Sequence, residues 1–176
     1  MKSDETYRMV VVTFLLFVFG CDHRENKEHM VTERQRQTEL LQILGVKPYG
    51  LHWRINDMGL IDMIALSGNT VNHENIRVVS TIESLRVLLL TCCAYNDEPP
   101  SIDDFQQLKS LKNLKCLELY GALEEVSEEM CQAISELSQL EELTISYSLI
   151  DINGRWVLEK MHLLHLDIDR CNYPEP

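Results

Sequence analysis

Positive charge is what this sequence has too little of: 16 Lys and Arg stand against 28 Asp and Glu, a formal charge of −12 over 176 residues. An acidic surface repels phosphate, which argues against nucleic-acid binding, and it is equally unsuited to anionic lipid. No Gly-rich phosphate loop and no P-loop lysine pattern occurs, so nothing points to nucleotide chemistry. There is no Asn-x-Ser/Thr acceptor and no cysteine cluster bracketing the chain, and both absences pull against a heavily oxidised extracellular life. A long apolar run is also missing. Met9–Phe19, interrupted only by Thr13, falls short of the roughly 20 residues that a membrane span needs.

That run has the length of a secretory h-region, with Gly20 placed for cleavage before Cys21. A signal peptide over 1–20 and a secreted or secretory-pathway protein are therefore expected. The opening stretch departs from the usual pattern, because Asp4 and Glu5 cancel Lys2 and Arg8. Val18-Phe19-Gly20-Cys21 also touches the bacterial lipobox, which would anchor the chain through Cys21, although Phe19 is bulky for it. An intracellular location is the third alternative. The six cysteines, Cys21, Cys92, Cys93, Cys116, Cys131 and Cys171, do not decide the compartment. Adjacent Cys92 and Cys93 point to opposite faces, which argues against a bridge between them.

What the chain does have is a recurring pattern, apolar at slots 1, 4, 7, 10 and 12 with a small residue at slot 15. The copies read Ile55-Met58-Ile61-Ile64-Leu66-Asn69, Val79-Ile82-Leu85-Leu88-Leu90-Cys93 and Leu108-Leu111-Leu114-Leu117-Leu119-Ala122. Two more follow, Ile134-Leu137-Leu140-Leu143-Ile145-Ser148 and Val157-Lys160-Leu163-Leu166-Ile168-Cys171. Tenth slots are 24, 29, 26 and 23 residues apart (64 to 88 to 117 to 143 to 166). At 45% apolar residues overall, about 11 of the 25 non-terminal slots would be apolar by chance; all but Lys160 are.

Slots 10 and 12 share one face of a strand, and slots 1, 4 and 7 suit one helical or 3₁₀ face leading into it. One such unit cannot bury its stripe alone, whereas stacked units bury one another's. Spacing and slot pattern together resemble the leucine-rich-repeat superfamily over residues 55–171. The resemblance implies an α/β leucine-rich-repeat solenoid, with a parallel concave sheet and a helical convex side. It also implies that slot 15 sits inside a turn and bonds backbone there. Strands are expected at 63–67, 87–91, 116–120, 142–146 and 165–169.

Around this core the expected layout is a polar flexible segment at 21–34, an N-terminal cap at 35–54 and a tail at 172–176. VTERQRQTELLQIL reads as a helix from about Val31 to Leu44 that caps the first unit, stopped by Gly45. A turn follows at Lys47–Gly50. Ser101 with Asp104 starts a helix over 102–110, Ser127 caps one over 128–137, and shorter turns fall at Glu74–Val79 and Arg155–Lys160. No capping helix follows strand 165–169. Asp167, Asp169 and the terminal prolines blunt this edge, or it docks on a partner such as a second copy.

The residues flanking the inward strand slots should form the concave face. Met63, Ala65, Ser67, Val87, Leu89 and Thr91 give it an apolar end. Cys116, Glu118, Tyr120, Glu142, Thr144, Ser146, His165, Asp167 and Asp169 give it an acidic end. That gradient suits a protein partner carrying hydrophobic and basic groups. The expected binding residues are Val87, Leu89, Glu118, Tyr120, Glu142, Thr144, His165, Asp167 and Asp169.

No metal and no cofactor is expected. His165, Asp167 and Asp169, with Glu142 beside them, share one face. Cα atoms two apart on a strand are ~6.5–7 Å apart, so solvated charge is the simpler reading. No enzyme is expected either, since Cys116 lies two strands, ~10 Å, from His165. The alternatives are a self-assembly unit joined through the C-terminal edge strand and an intracellular ubiquitin-ligase-type adaptor. The adaptor would place its docking helices in 31–60, a stretch short for that task, where Trp53 and Leu60 read more simply as core.

Overall fold

The computed structural model describes residues 29–44, 53–91 and 100–171. The expected signal segment 1–20, Cys92 and Cys93, the turn at 47–50 and the tail at 172–176 lie outside them. The chain divides into two compact units, Met1–Thr38 and Glu39–Pro176.

The described part of the first unit is helical from residue 29, so 29–34 is not irregular. Side chains three and four apart brace this helix, α1 (29–43): Arg36 donates to both oxygens of Glu33 at 2.9 and 2.7 Å, and Gln37 donates to Glu33 at 2.8 Å. The Arg36 hydrogen bonds hold the Glu33 carboxyl below its usual range. The last turns of α1 belong to the second unit, where Leu41 and Leu44 are buried in its core and Leu40 packs against it.

The rest of the second unit runs β1 (Trp53–Ile55), β2 (Ile61–Ser67), α2 (His73–Val79), β3 (Val87–Thr91), α3 (Ile102–Gln107) and β4 (Cys116–Tyr120). It continues β5 (Glu125–Val126), α4 (Glu128–Ser135), β6 (Glu142–Ser146), β7 (Leu149–Ile150), α5 (Ile152–Glu159) and β8 (His165–Asp169). One six-stranded sheet has the order β1-β2-β3-β4-β6-β8, and β5 pairs with β7 in a second. Every pairing is parallel except β1 with β2. The fold is mixed α/β, with a mostly parallel sheet and five helices among the described residues.

Apolar spacing sets the register. Tenth-slot residues Ile64, Leu88, Leu117, Leu143 and Leu166 are successive partners across the sheet. Slots 10 and 12 of the first four copies are fully buried or nearly so, in one cluster with Ile76, Phe105, Leu108, Ile134 and Leu158 from the returning segments. Four strands coincide with the expected spans. The first begins at Ile61 because it gains an antiparallel neighbour, β1.

That neighbour also overturns two inward slots. Ile55 and Met58 are 50% and 56% exposed. Asn56 Oδ1 accepts from the backbone N–H of Met58 and Leu60, both at 3.0 Å, so this stretch is a hairpin rather than a helical return.

Polar residues start the helices. Asn72 accepts from the Asn75 N–H at 2.9 Å, and Ser127 from the Met130 N–H at 3.3 Å. Asp151 accepts from Asn153 and Gly154, so α5 begins three residues ahead of the expected Arg155. At slot 15, Ala122 and Ser148 are buried, and the half-buried Cys171 donates its thiol to the Ile145 carbonyl at 3.4 Å. Asn69 is exposed within a 3₁₀ turn, Gly68–Thr70, instead of filling a turn interior. Slot 14 carries its own constraint: Gly68, Gly121, Tyr147 and Arg170 all have φ between 52 and 58°. No helix among the described residues is long and apolar enough to cross a membrane.

Candidate functional site

Successive strand residues point to opposite faces, so register sorts the outward side chains of β2, β3, β4, β6 and β8 into three rows. The first is Met63, Val87, Cys116, Glu142 and His165. The second is Ala65, Leu89, Glu118, Thr144 and Asp167, and the third Ser67, Thr91, Tyr120, Ser146 and Asp169. All nine expected binding residues stand in these rows, with neighbours about 4.8 Å apart from strand to strand. Ser146, expected to face outward, is 4% exposed and offers nothing to a ligand.

The apolar end consists of half-buried Met63, Ala65, Val87 and Leu89. At the acidic end the carboxylates are spaced rather than bunched. Thr144 separates Glu118 from Asp167, and Glu142 is the direct neighbour of His165. Cys116 joins two rows, its thiol donating to Glu118 Oε1 at 3.8 Å. Burial first, then the Glu118 and Glu142 carboxylates, pushes that thiol up to about 12. At neutral pH Cys116 is therefore a protonated donor and not a thiolate nucleophile. Glu118, Glu142 and Asp167 have no cationic partner among the described residues. By contrast Asp62 pairs with Arg54, Glu141 with Lys115 and Glu159 with Arg155.

Two residues of this surface escaped the pattern analysis. Tyr147 lies against Tyr120, with ring centroids 4.7 Å apart and planes at 54°, and the Arg170 guanidinium sits 5.0 Å from the Tyr147 centroid. Arg170 also approaches Asp169 at 3.4 Å. Both occupy slot 14, just past their strands, where the left-handed backbone turns the side chain back over the sheet's end. The signal was present in the sequence as glycines at the matching positions 68 and 121.

No family model matches this chain, and no curated protein does.

Other features lie away from the rows. A cavity of about 430 Å³ is lined by Leu137, Leu140, Val157, Met161, His162 and Leu163 among others, none of them a row residue. Among the described residues no group of three or more His, Cys, Asp or Glu is arranged to hold a metal ion. The surface can thus offer apolar contact at one end and charge-assisted hydrogen bonds at the other, joined by an aromatic shelf of Tyr120 and Tyr147.

Proposed function

We propose that the chain is a leucine-rich-repeat solenoid acting as a non-enzymatic protein-binding module of the secretory pathway. The partner lies across the strand face, with Val87, Leu89 and Tyr120 as anchors. Glu118, Glu142, Asp167 and Asp169 steer a basic side chain into place, helped by Thr144 and His165. Among those four, Glu118, Glu142 and Asp167 lack a cation of their own in the described chain, and that observation carries the reading. Displayed carboxylates without a cation, beside half-buried aliphatics, favour a ligand that brings both cation and hydrocarbon. The repeating slot pattern and the unbroken tenth-slot register support the solenoid. The secretory placement rests on the apolar run Met9–Phe19.

A random peptide library panned against the full chain tests the proposal. Enriched peptides should combine Lys or Arg with Leu, Phe or Trp. Glu118→Lys together with Glu142→Lys should lower their affinity at least ~10-fold at low salt, with the loss shrinking as salt rises. Peptides bound equally by the variant, or no enrichment at all, would overturn it.

A further inference from the structure

We propose that the C-terminal end of the sheet is a self-docking surface, where two copies of this chain join by two-fold pairing of their β8 edges. Three observations converge on this end.

First, the inward slots open here. Leu117, Leu119, Leu143 and Ile145 are at 0% exposure, but Leu166 and Ile168 of the last strand are only partly buried, as are Val157 and Leu163. Second, α5 turns two large apolar side chains outward, one of them, Trp156, with Lys160 Nζ 3.0 Å from its ring centroid. Its Gly154 lies so close to α4 that an added Cβ would stand 2.7 Å from Cys131 Sγ. Ile152 and Trp156, two residues either side and so about half a helical turn round, point away from α4 at 70% and 61% exposure. Counted from its N-cap, Trp156 occupies the position held in the three preceding helices by exposed Arg77, Gln106 and Gln132. Third, Leu164 is 80% exposed, two residues before the tenth slot, a place held in the earlier copies by Asp62, Arg86, Lys115 and Glu141.

Two positions that are polar in the earlier copies have thus turned apolar at the end where, among the described residues, the inward slots stand half open. Such a patch marks a contact surface rather than a solvated one.

The chemistry of β8 favours a second copy as the occupant. Antiparallel pairing about a two-fold axis keeps each face on its own side. With Asp167 on the axis, His165 opposes the second copy's Asp169 and Leu166 opposes its Ile168, each twice. The strand therefore supplies both members of a charge pair and of an aliphatic pair. The exposed Trp156, Ile152 and Leu164 with the half-open slots amount to on the order of 600 Å² per copy, near the ~800 Å² per partner of a standard interface. Assembly closes at two. The opposite edge is β1, three residues long with a register break at Ile55, and the slots behind it at Ile61, Ile64 and Leu66 are shut at 0–2% exposure. The two Asp167 carboxylates meeting on the axis oppose pairing, which limits its strength.

Sedimentation equilibrium on the full chain, from ~1 to ~200 μM, tests this. A monomer–dimer equilibrium is expected. Trp156→Glu and Leu164→Glu, both at exposed sites that leave folding intact by circular dichroism, should each weaken it at least ~10-fold, and Asp167→Asn should tighten it. Glu83→Lys, at an exposed site in the turn before β3, should leave it unchanged. Asp167→Cys should, on mild oxidation with diamide, link residue 167 to itself. Tryptic peptide 161–170 contains no native cysteine, so its disulfide dimer is diagnostic. A monomer throughout, a dimer indifferent to both glutamates, or the absence of a 167–167 link would overturn the proposal.

Discussion

Cys116 and Asp104 show two opposite uses of a carboxylate. Around Cys116, burial and the charges of Glu118 and Glu142 keep a thiol protonated, and Cys131 is likewise pushed up to about 12, chiefly by burial. Both folded values lie above the ordinary 9.0, so the native state holds these protons more tightly than the unfolded chain. Their contribution to stability is complete below about pH 9 and is lost as pH climbs towards 12. Urea melts between pH 8 and 11 should show this fall, and Cys116→Ser should flatten it. Maleimide labelling of native Cys116 at pH 7.5 should be slow, and Glu118→Gln should speed it several-fold by removing one of the charges that hold the proton.

Asp104 instead is 2% exposed and accepts from the Ser101 N–H at 2.7 Å, the Ser101 hydroxyl at 2.9 Å and His73 Nδ1 at 2.5 Å. Asp104→Ala should cost about 2–3 kcal/mol in urea unfolding, because three donors lose their acceptor together. The Ser101–Asp104 box was legible from a three-residue spacing. His73 was not, since 31 residues separate it from Asp104 and only the packing of α2 beside α3 unites them.

Among the elements, α5 is held close to α4 by Gly154, a residue that by helix propensity should be replaced. Gly154→Ala gains up to ~1 kcal/mol of propensity but drives a Cβ to 2.7 Å from Cys131 Sγ and 3.3 Å from the Glu128 backbone. Overpacking of this kind costs ~1–3 kcal/mol, so a net loss is expected in a denaturant melt, with partial recovery when Cys131→Ala is added. The corner after each strand behaves differently. At Gly121, φ is +55° and an added Cβ would meet only Tyr147 Cβ, at an ordinary 4.0 Å, so Gly121→Ala should cost about 1 kcal/mol from the left-handed backbone alone.

Strands β3, β4, β6 and β8 were readable because their alternate residues enter a core that tolerates nothing else. The pair β5 and β7 was not. Two residues carry no period, and their pairing depends on the return loops reaching equal depth. Ile55 and Met58 misled for a related reason: they kept the apolar spacing, while Asn56 folded the chain back into a hairpin.

Over the whole molecule, the inward slots of β2, β3, β4 and β6 are shut and those of β8 half open, so local stability should drop at β8. Amide exchange at micromolar concentration or below should be slowest in β3 and β4 and fastest in β8 among the parallel strands β2, β3, β4, β6 and β8. Protection of β8 equal to that of β4 would show that its half-open slots carry no penalty. The outward residues were legible in the sequence as alternates of the inward ones, but their chemistry was only half visible. Spacing placed Cys116, Glu118, Glu142 and Asp167 on one face, while the proton held on that thiol and the Tyr147–Arg170 contact emerged only from packing and a left-handed corner.

Straight register has an evolutionary corollary. Because residues 63, 87, 116, 142 and 165 run in single file, as do the two files beside them, each strand writes one letter in each of three lines of text. On the proposed binding role, a point substitution edits one letter and leaves the scaffold's spelling untouched, so recognition can drift on a backbone that stands still. Duplicating a whole unit would lengthen every line at once, offering a longer ligand more to read without redesigning any existing contact.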